Sequence, residues 1–203
     1  FINNFFILFT ESLEHEHNVS FLHDNTNFQI ISSYNDLINY LISNKYQLKC
    51  HIIFESGNIC LFFCRFKSNF KFIIASGGVV QNTKKQILFI CKNNIWDLPK
   101  GKVESNETIE SAGIREVVEE TSISDIRLVN RHPYSTYHIY KDKFNSNQLT
   151  FKETKWFFMN AESSLLKPQI EEGISDVKWI SFDKIHTLVM FESVKDPIIF
   201  FVG

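Results

Sequence analysis

Three glutamates, Glu116, Glu119 and Glu120, are spaced so that a helix would place their carboxylates on one face. At about 100° per residue, the three side chains fall within an arc roughly 100° wide. The opposite arc carries mainly apolar residues: Ile114, Val117, Val118 and Thr121. The pattern predicts an amphipathic helix that buries its apolar stripe and points its acids outward.

Carboxylates placed this closely call for a counter-charge. Like charges at these spacings destabilise a helix by roughly 0.2–0.5 kcal/mol per pair, and no basic residue occurs at 121–124 to complement the helix dipole. Converging hard oxygen ligands suit Mg²⁺ or Mn²⁺, which leave coordination positions for water and substrate phosphates. We therefore predict a divalent-metal site, whereas the same acid run in isolation is also typical of a solvated helix face.

The residues around these acids have a spacing that resembles the Nudix box. In chain order the fixed positions are Gly101, Glu107, Arg115, Glu116, Glu119, Glu120, Ser122 and Ile123. The box has a glycine where this chain has Ser122. That glycine serves as a left-handed helix C-cap, where serine is worse by roughly 1 kcal/mol. The departure therefore affects helix termination more than catalysis.

Segments on both sides of the box strengthen this resemblance to Nudix domains. Residues 75–80, 95–104, 155–159 and 177–180 occur in the expected order, so the likeness runs from about residue 72 to the C-terminus. It implies an α/β fold, the Nudix α/β/α sandwich on a mixed sheet.

A break near residues 67–69 predicts two domains, a small N-terminal α+β module at 1–69 and a Nudix hydrolase domain at 70–203. In the module, strands are predicted at 5–10, 27–32 and 49–55 and a helix at 34–43. In the second domain, strands are predicted at 72–80, 86–92, 126–134, 135–140, 152–159 and 177–180, with a short one at Trp96. Helices are predicted at about 106–121, with Ser105 or Asn106 as N-cap, and at 182–192 and 194–201.

The resemblance implies a role for each acid of the box. Glu119 and Glu120 would be the strongest metal ligands and Glu116 the next. Glu107 would support the loop or bind a further metal. Arg115 would orient the acids, or alternatively serve only as an intrahelical ion-pair partner.

The implied reaction is metal-dependent hydrolysis of a diphosphate linkage, in which one carboxylate takes the proton of the attacking water. Because Nudix proteins place this general base in the box or on a later loop, we predict Glu172, with Glu171 and Glu153 as alternatives. A solvated loop would equally account for Glu171 and Glu172, and the exposed side of a strand for Glu153.

Substrate contacts are predicted from two groups of residues. Lys100 and Lys102 flank the box glycine, where a flexible ammonium could meet a phosphate, although surface lysines in a turn have the same pattern. Tyr137 lies near the expected cleft with His138 and Tyr140 and could stack on a base. Strand alternation sends Tyr137 and His138 to opposite faces, so only one of them can serve.

Composition limits the partners and the compartment. A net charge of −2 and a pI of about 6.4 argue against binding of a nucleic acid polymer and leave a small-molecule nucleotide or other phosphoanhydride as partner. The four cysteines form no C-x-x-C pair and predict buried thiols in a reducing compartment, without disulfide or zinc. The apolar run at 5–9 is too short for a bilayer, which favours a cytoplasmic protein without a membrane partner.

The substrate is the least specified of these predictions. The string at 96–102 resembles Nudix hydrolases that cleave diadenosine polyphosphates or diphosphoinositol polyphosphates, while oxidised nucleoside triphosphates and ADP-ribose stay open. The alternative is a non-catalytic nucleotide-binding or sensing protein, motivated by Ser122 and by the extra module and opposed by the intact acids. A homodimer interface, a cover for the cleft and a substrate gate are the roles considered for the module.

Overall fold

The computed structural model describes residues 70–141, 149–162 and 165–203, and in the N-terminal part three strands and five single residues. The three strands are β1 (Phe6–Thr10), β2 (Phe28–Ile31) and β3 (His51–Glu55). They form a parallel sheet in the order β1-β3-β2 and confirm the strands predicted there. The helix predicted at 34–43 lies outside the described residues, apart from three single positions.

The chain divides into two compact units. One consists of Phe1–Phe72 with Tyr137–Lys152, and the other of Ile73–Thr136 with Glu153–Gly203. The predicted domain boundary at residue 69 stays a prediction. Among the described residues, no helix combines the length and the apolar character that crossing a membrane requires.

Eight strands form a mixed sheet, as predicted. They are β4 (Lys71–Gln81), β5 (Gln86–Lys92), β6 (Ile95–Asp97), β7 (Lys100–Lys102), β8 (Arg127–Leu128), β9 (Tyr134–Lys141), β10 (Leu149–Asn160) and β11 (Ile174–Ser181). The central path is β11-β5-β4-β10-β8, with β6 on β5, β7 on β4 and β9 on β10. Asn93 and Asn94 turn β5 into β6, both with positive φ, as a two-residue hairpin requires.

Neighbouring residues on the central strands point to opposite faces and fill two separate cores. One core includes helix α1 (Ile109–Thr121) and the other helix α2 (Glu192–Val202). The α1 side contains Val80, Leu88, Ile90, Val117, Ile123, Phe157, Met159, Ala161, Ile174 and Val177. The α2 side contains Val79, Ile87, Phe89, Leu98, Trp156, Ile185, Val194 and Ile198. This alternation confirms the α/β/α sandwich.

Several predicted boundaries were wrong. Helix α1 begins at Ile109 behind the N-cap Thr108, whose hydroxyl accepts a hydrogen bond from the Ser111 amide, and not at 106. The strand predicted at 126–134 is present only as β8 at Arg127–Leu128.

The helix predicted at 182–192 is a 3-10 helix at Phe182–Thr187 that does not continue. It stops because the next residues pair with β6: the Trp96 amide donates to the Val189 carbonyl at 2.9 Å, and Trp96 and Met190 form a parallel bridge. The pairing satisfies backbone groups that a longer helix would have satisfied internally.

The cysteine prediction is corrected at one position. Cys91 is a buried free thiol, but Cys64 is exposed. Free cysteine is among the most buried residue types, which is why burial was predicted, and Cys64 departs from that preference. Cys50 and Cys60 lie outside the described residues.

The predicted orientation of α1 is confirmed for Val117 and Thr121, which are fully buried, but was wrong for Val118 and for two of the acids. Glu116 and Glu120 are buried, with 7% and 4% of their surface exposed, whereas Val118 is 37% exposed. Small residues beside the acids allow this, since a Cβ on Gly113 would lie only 2.8 Å from the Ser76 hydroxyl on β4. The helix therefore buries Glu116 and Glu120 along with its apolar stripe, and sequence patterning had assigned those acids to water.

Ser122 ends α1 in the left-handed conformation, with φ 62° and ψ 16°, and its amide donates to the Val118 carbonyl. This is the cap conformation expected of the glycine that it replaces. Its hydroxyl donates to the Lys167 carbonyl at 3.2 Å.

Ser122→Gly is expected to raise the free energy of unfolding by about 0.5 kcal/mol. Relief of left-handed strain contributes about 1 kcal/mol, and loss of the exposed hydrogen bond to Lys167 removes about 0.5 kcal/mol. Urea denaturation followed by circular dichroism measures the change. Ser124→Gly is the control: Ser124 is exposed and has no positive φ, so glycine should lower stability there. A Ser122→Gly protein less stable than the native one would contradict the expected strain.

Candidate functional site

Arg115 lies at the centre of an acidic cluster formed by Glu107, Glu116 and Glu119. All three nitrogens of its guanidinium donate hydrogen bonds. Nε and Nη2 donate to the two oxygens of Glu107 at 3.0 and 2.6 Å. Nη1 donates to Glu116 and to Glu119, both at 2.8 Å, and Nη2 also donates to the Lys102 carbonyl at 3.1 Å. Arg115 thus makes the intrahelical ion pair with Glu119 and also orients acids outside that pair. Charge-assisted, forked contacts of this kind fix geometry as well as charge.

The same contacts define the role of Glu107. Hydrogen bonds from Arg115 and from the Glu104 amide lower the pKa of Glu107 to about 2. The hydrogen bonds that Arg115 donates to Glu107 also raise the pKa of Arg115 above its ordinary value. Both oxygens of Glu107 are engaged, and these contacts join the loop that precedes α1 to Arg115 on the helix.

Glu116 is buried directly against Gly101. A Cβ on Gly101 would lie 2.1 Å from the Glu116 carboxyl carbon, so a larger residue there would force this carboxylate out of its position. Strand β7 holds Gly101 in place by pairing it with Ser76 on β4. Burial raises the pKa of Glu116, Arg115 opposes the rise, and the nearby Glu119 and Glu172 charges add to it.

Glu120 is held by the backbone of β7. Its Oε2 accepts a hydrogen bond from the Lys100 amide at 2.8 Å. Burial raises the pKa of Glu120 to about 7, against the opposing effect of Lys100. The buried carboxyl therefore changes its charge close to neutral pH, and the backbone contact keeps it in place.

The Lys100 ammonium is engaged by Asp97, at 2.6 Å from its Oδ2. Burial lowers the pKa of Lys100, but the Asp97 and Glu120 charges outweigh it and the net direction is upward. Sequence reasoning missed Asp97, whose other oxygen accepts from the Leu98 amide. The signal was an acid three residues before a lysine across a Leu-Pro turn. A phosphate contact by Lys100 has to compete with this ion pair.

An open cleft of about 850 Å³ lies against the acidic cluster. Its lining residues are Gly101, Lys102, Val103, Glu104, Ser105, Arg115, Glu116, Glu119 and Glu172. Four carboxylates thus face two cationic side chains. The structure brings five of the predicted residues to this cleft: Lys102, Arg115, Glu116, Glu119 and Glu172.

Glu172 reaches the cleft from a loop that is attached to α1. The Lys167 amide donates to the Thr121 carbonyl at 3.0 Å, and the Gln169 amide to the Glu120 carbonyl at 3.4 Å. A 3-10 helix at Ile170–Glu172 follows and ends at a left-handed glycine that begins the turn into β11. Its neighbour Glu171 does not line the cleft.

Other predicted residues lie elsewhere. Tyr137 packs on Phe151, with ring centroids 5.5 Å apart, and does not line the cleft. Glu153 is 8% exposed and pairs with Lys155 at 2.7 Å, so its assignment to an exposed strand side was wrong. The β10 strand buries this carboxylate because Lys155, two residues on, supplies its counter-charge on the same side.

The donor chemistry of the cleft fits a hard divalent cation, since its acidic oxygens outnumber its cations. In the described part of the chain, no three acidic, histidine or cysteine side chains converge closely enough to hold an ion together. Arg115 explains this arrangement, because its Nη1 contacts both Glu116 and Glu119 and supplies their counter-charge.

Comparisons with known proteins agree with this geometry. A family model described as NUDIX domain matches residues 71–200. An RNA pyrophosphohydrolase of Pelagibacter ubique is 27% identical over 125 residues, which are 56% of this chain and 79% of that protein. An RNA pyrophosphohydrolase of Haemophilus influenzae is 28% identical over 119 residues, 52% of this chain and 60% of that protein.

A solved structure with a similar fold is the Escherichia coli dihydroneopterin triphosphate pyrophosphohydrolase. Its TM-score is 0.55 at 19% identity, and the match covers 66% of this chain and 97% of that chain. At this identity the likeness shows the fold.

Glu120→Gln is expected to remove a pH dependence of stability from the metal-free protein. Because the folded-state pKa is raised from 4.5 to about 7, the folded state binds more protons between these values. Stability therefore falls as pH rises from about 4.5 to 7. Relative to Glu120→Gln, the native protein should lose about 3 kcal/mol across this window.

Urea denaturation in EDTA at a series of pH values measures this difference. Glu110→Gln, in the first turn of the same helix, corrects for the loss of one charge. Parallel curves for the native and Glu120→Gln proteins would show that burial does not raise this pKa.

Proposed function

The chain belongs to the NUDIX family and is a Nudix hydrolase of pyrophosphate bonds in nucleotide derivatives, and we propose that it cleaves a diphosphate linkage in a nucleoside diphosphate derivative, such as a diadenosine polyphosphate, with Mg²⁺ or Mn²⁺. The observation that carries the proposal is the acidic cluster on Arg115, whose Glu116 and Glu119 face a cleft of about 850 Å³. A cleft of this volume accommodates a nucleotide.

Glu116, Glu119 and Glu120 are the proposed ligands of the divalent cation. When bound, the cation would neutralise phosphate oxygens and stabilise the charge that develops as the phosphorus is attacked. Glu119 is the most exposed of the three acids, so its carboxylate can turn from Arg115 with least rearrangement. Glu107 is proposed to act only through Arg115, since both of its oxygens are engaged.

Glu172 is the proposed general base. It lines the cleft on the loop attached to α1, and its charge is felt at Glu116. The carboxylate would take a proton from the attacking water as the new bond to phosphorus forms and the bridging oxygen leaves. Glu153 is a weaker candidate, because it is buried in an ion pair with Lys155.

Lys102 is the proposed phosphate contact. It is exposed and lines the cleft, whereas the Lys100 ammonium is engaged by Asp97. The excess of acid in the cleft and the net charge of −2 favour a small nucleotide over a polymer with a repeating phosphate backbone. Cytoplasmic location and homodimer formation remain predictions from the sequence.

Purified protein is expected to release phosphate or nucleotide products from at least one member of a substrate panel, and only with Mg²⁺ or Mn²⁺. The panel contains diadenosine tetraphosphate, ADP-ribose, nucleoside triphosphates and a 5′-triphosphorylated RNA. Glu119→Gln should lower kcat on the order of 100-fold, because it removes a proposed ligand. Glu110→Gln, on the same helix and away from the cleft lining, should retain native kcat.

Hydrolysis of the RNA alone would replace the small-nucleotide proposal with a polymer substrate. Equal rates with EDTA and with metal would contradict the cation requirement.

Glu172→Gln is expected to lower kcat about 100-fold with little change in KM, because glutamine cannot accept the proton. Single-turnover hydrolysis of the best substrate measures this loss directly. Glu171→Gln is the matched control, since the adjacent side chain does not line the cleft. Equal losses in the two variants would mean that the loop as a whole matters and that Glu172 is not the base.

A further inference from the structure

Ser122 combines an unfavourable backbone conformation with a contact that glycine cannot make. Its φ of 62° is one that favours glycine, and the box has a glycine at this position. In return, the serine hydroxyl donates to the Lys167 carbonyl at 3.2 Å, across 45 residues of sequence. The side chain thus joins the end of α1 to the loop at 165–173.

That loop is the one that carries Glu172. Two main-chain hydrogen bonds, from the Lys167 and Gln169 amides, attach it to the last carbonyls of α1. These two bonds do not depend on side-chain identity. The Ser122 hydroxyl adds a third bond at Lys167, so both the amide and the carbonyl of that residue are held by the helix end.

The contact between Ser122 and Lys167 connects the helix that carries three of the acids to the loop that carries Glu172. Helix α1 carries Glu116, Glu119 and Glu120, and five residues after Lys167 the chain reaches Glu172, which lines the same cleft as Glu116 and Glu119. Holding Lys167 therefore limits how far Glu172 can move relative to the helix acids. A shift of a proton acceptor by a fraction of its hydrogen-bond length lowers the rate of proton transfer.

We propose that Ser122 is a positioning residue, whose hydroxyl fixes the Glu172 loop against the end of α1. The inference rests on the proposed function, in which Glu172 accepts the proton of the attacking water. Ser122 itself touches neither substrate nor the reacting atoms in this assignment.

The test compares Ser122→Gly with Ser122→Ala. Both variants lack the hydroxyl, but glycine relieves the left-handed strain and alanine keeps it, so their stabilities should change in opposite directions. Their kcat values should nevertheless fall together, about 3- to 10-fold, which is the effect expected of one lost hydrogen bond. KM should stay within about 2-fold, because substrate binding does not involve the loop tie.

A double-mutant cycle identifies the route of the effect. If Ser122 acts through Glu172, then Ser122→Gly should have no further effect on kcat in a Glu172→Gln background. A second readout needs no catalysis: amide hydrogen exchange at Lys167 and Gln169 should accelerate severalfold in Ser122→Gly, while exchange in strand β5 does not accelerate.

Three outcomes would overturn the inference. These are native kcat in Ser122→Gly, an undiminished loss in the Glu172→Gln background, or unchanged exchange at Lys167 and Gln169. If the native protein hydrolyses none of the substrates, the proposed function fails and the exchange measurement alone decides whether Ser122 ties the loop.

Discussion

The structure around the cleft depends on the Arg115 guanidinium, which is held among three carboxylates. A carboxylate removed from water is costly unless a positive charge or several donors accompany it. Arg115 supplies both to Glu116, to Glu119 and to Glu107, and each acid comes from a different turn or loop. The position of the loop before α1, the end of β7 and the acidic side of the helix therefore follow from a single guanidinium.

Two glycines allow the close packing around the acids that Arg115 contacts. Gly101 leaves room for the Glu116 carboxyl, and Gly113 lets α1 approach β4. Glu116 and Glu120 are therefore buried and their pKa values rise, whereas Glu107 beside Arg115 has a pKa of about 2. One cluster thus contains a permanently ionised acid and an acid poised to gain a proton near pH 7. A divalent cation entering the cleft would favour the ionised form of the second.

Sequence patterning predicted what repeats with a fixed period. The central strands followed from their apolar runs, whereas the sandwich and the left-handed cap at Ser122 followed from the resemblance to the Nudix box and domain. Patterning failed where a tertiary contact outweighed local preference. It placed Glu116 and Glu120 in water because charge is ordinarily solvated, and it extended a helix through Val189, whose carbonyl is needed by Trp96. The Asp97–Lys100 pair was missed because its only sequence signal, an acid three residues before a lysine, is weak outside a helix.

The pairing of β6 with residues 189 and 190 also bears on how long a fragment of this chain must be to keep the site intact. The Trp96 amide donates a hydrogen bond to the Val189 carbonyl. From Trp96 the chain continues through Leu98 and Pro99 to Lys100 of β7, whose amide contacts Glu120. A gene fragment ending after β11 would encode every acid of the cleft and still lack Val189 and Met190, which pair with β6. The fragment therefore has to include these residues and also α2, whose Val194 and Ile198 lie in the second core, and a cloning strategy guided by the motif alone would miss both.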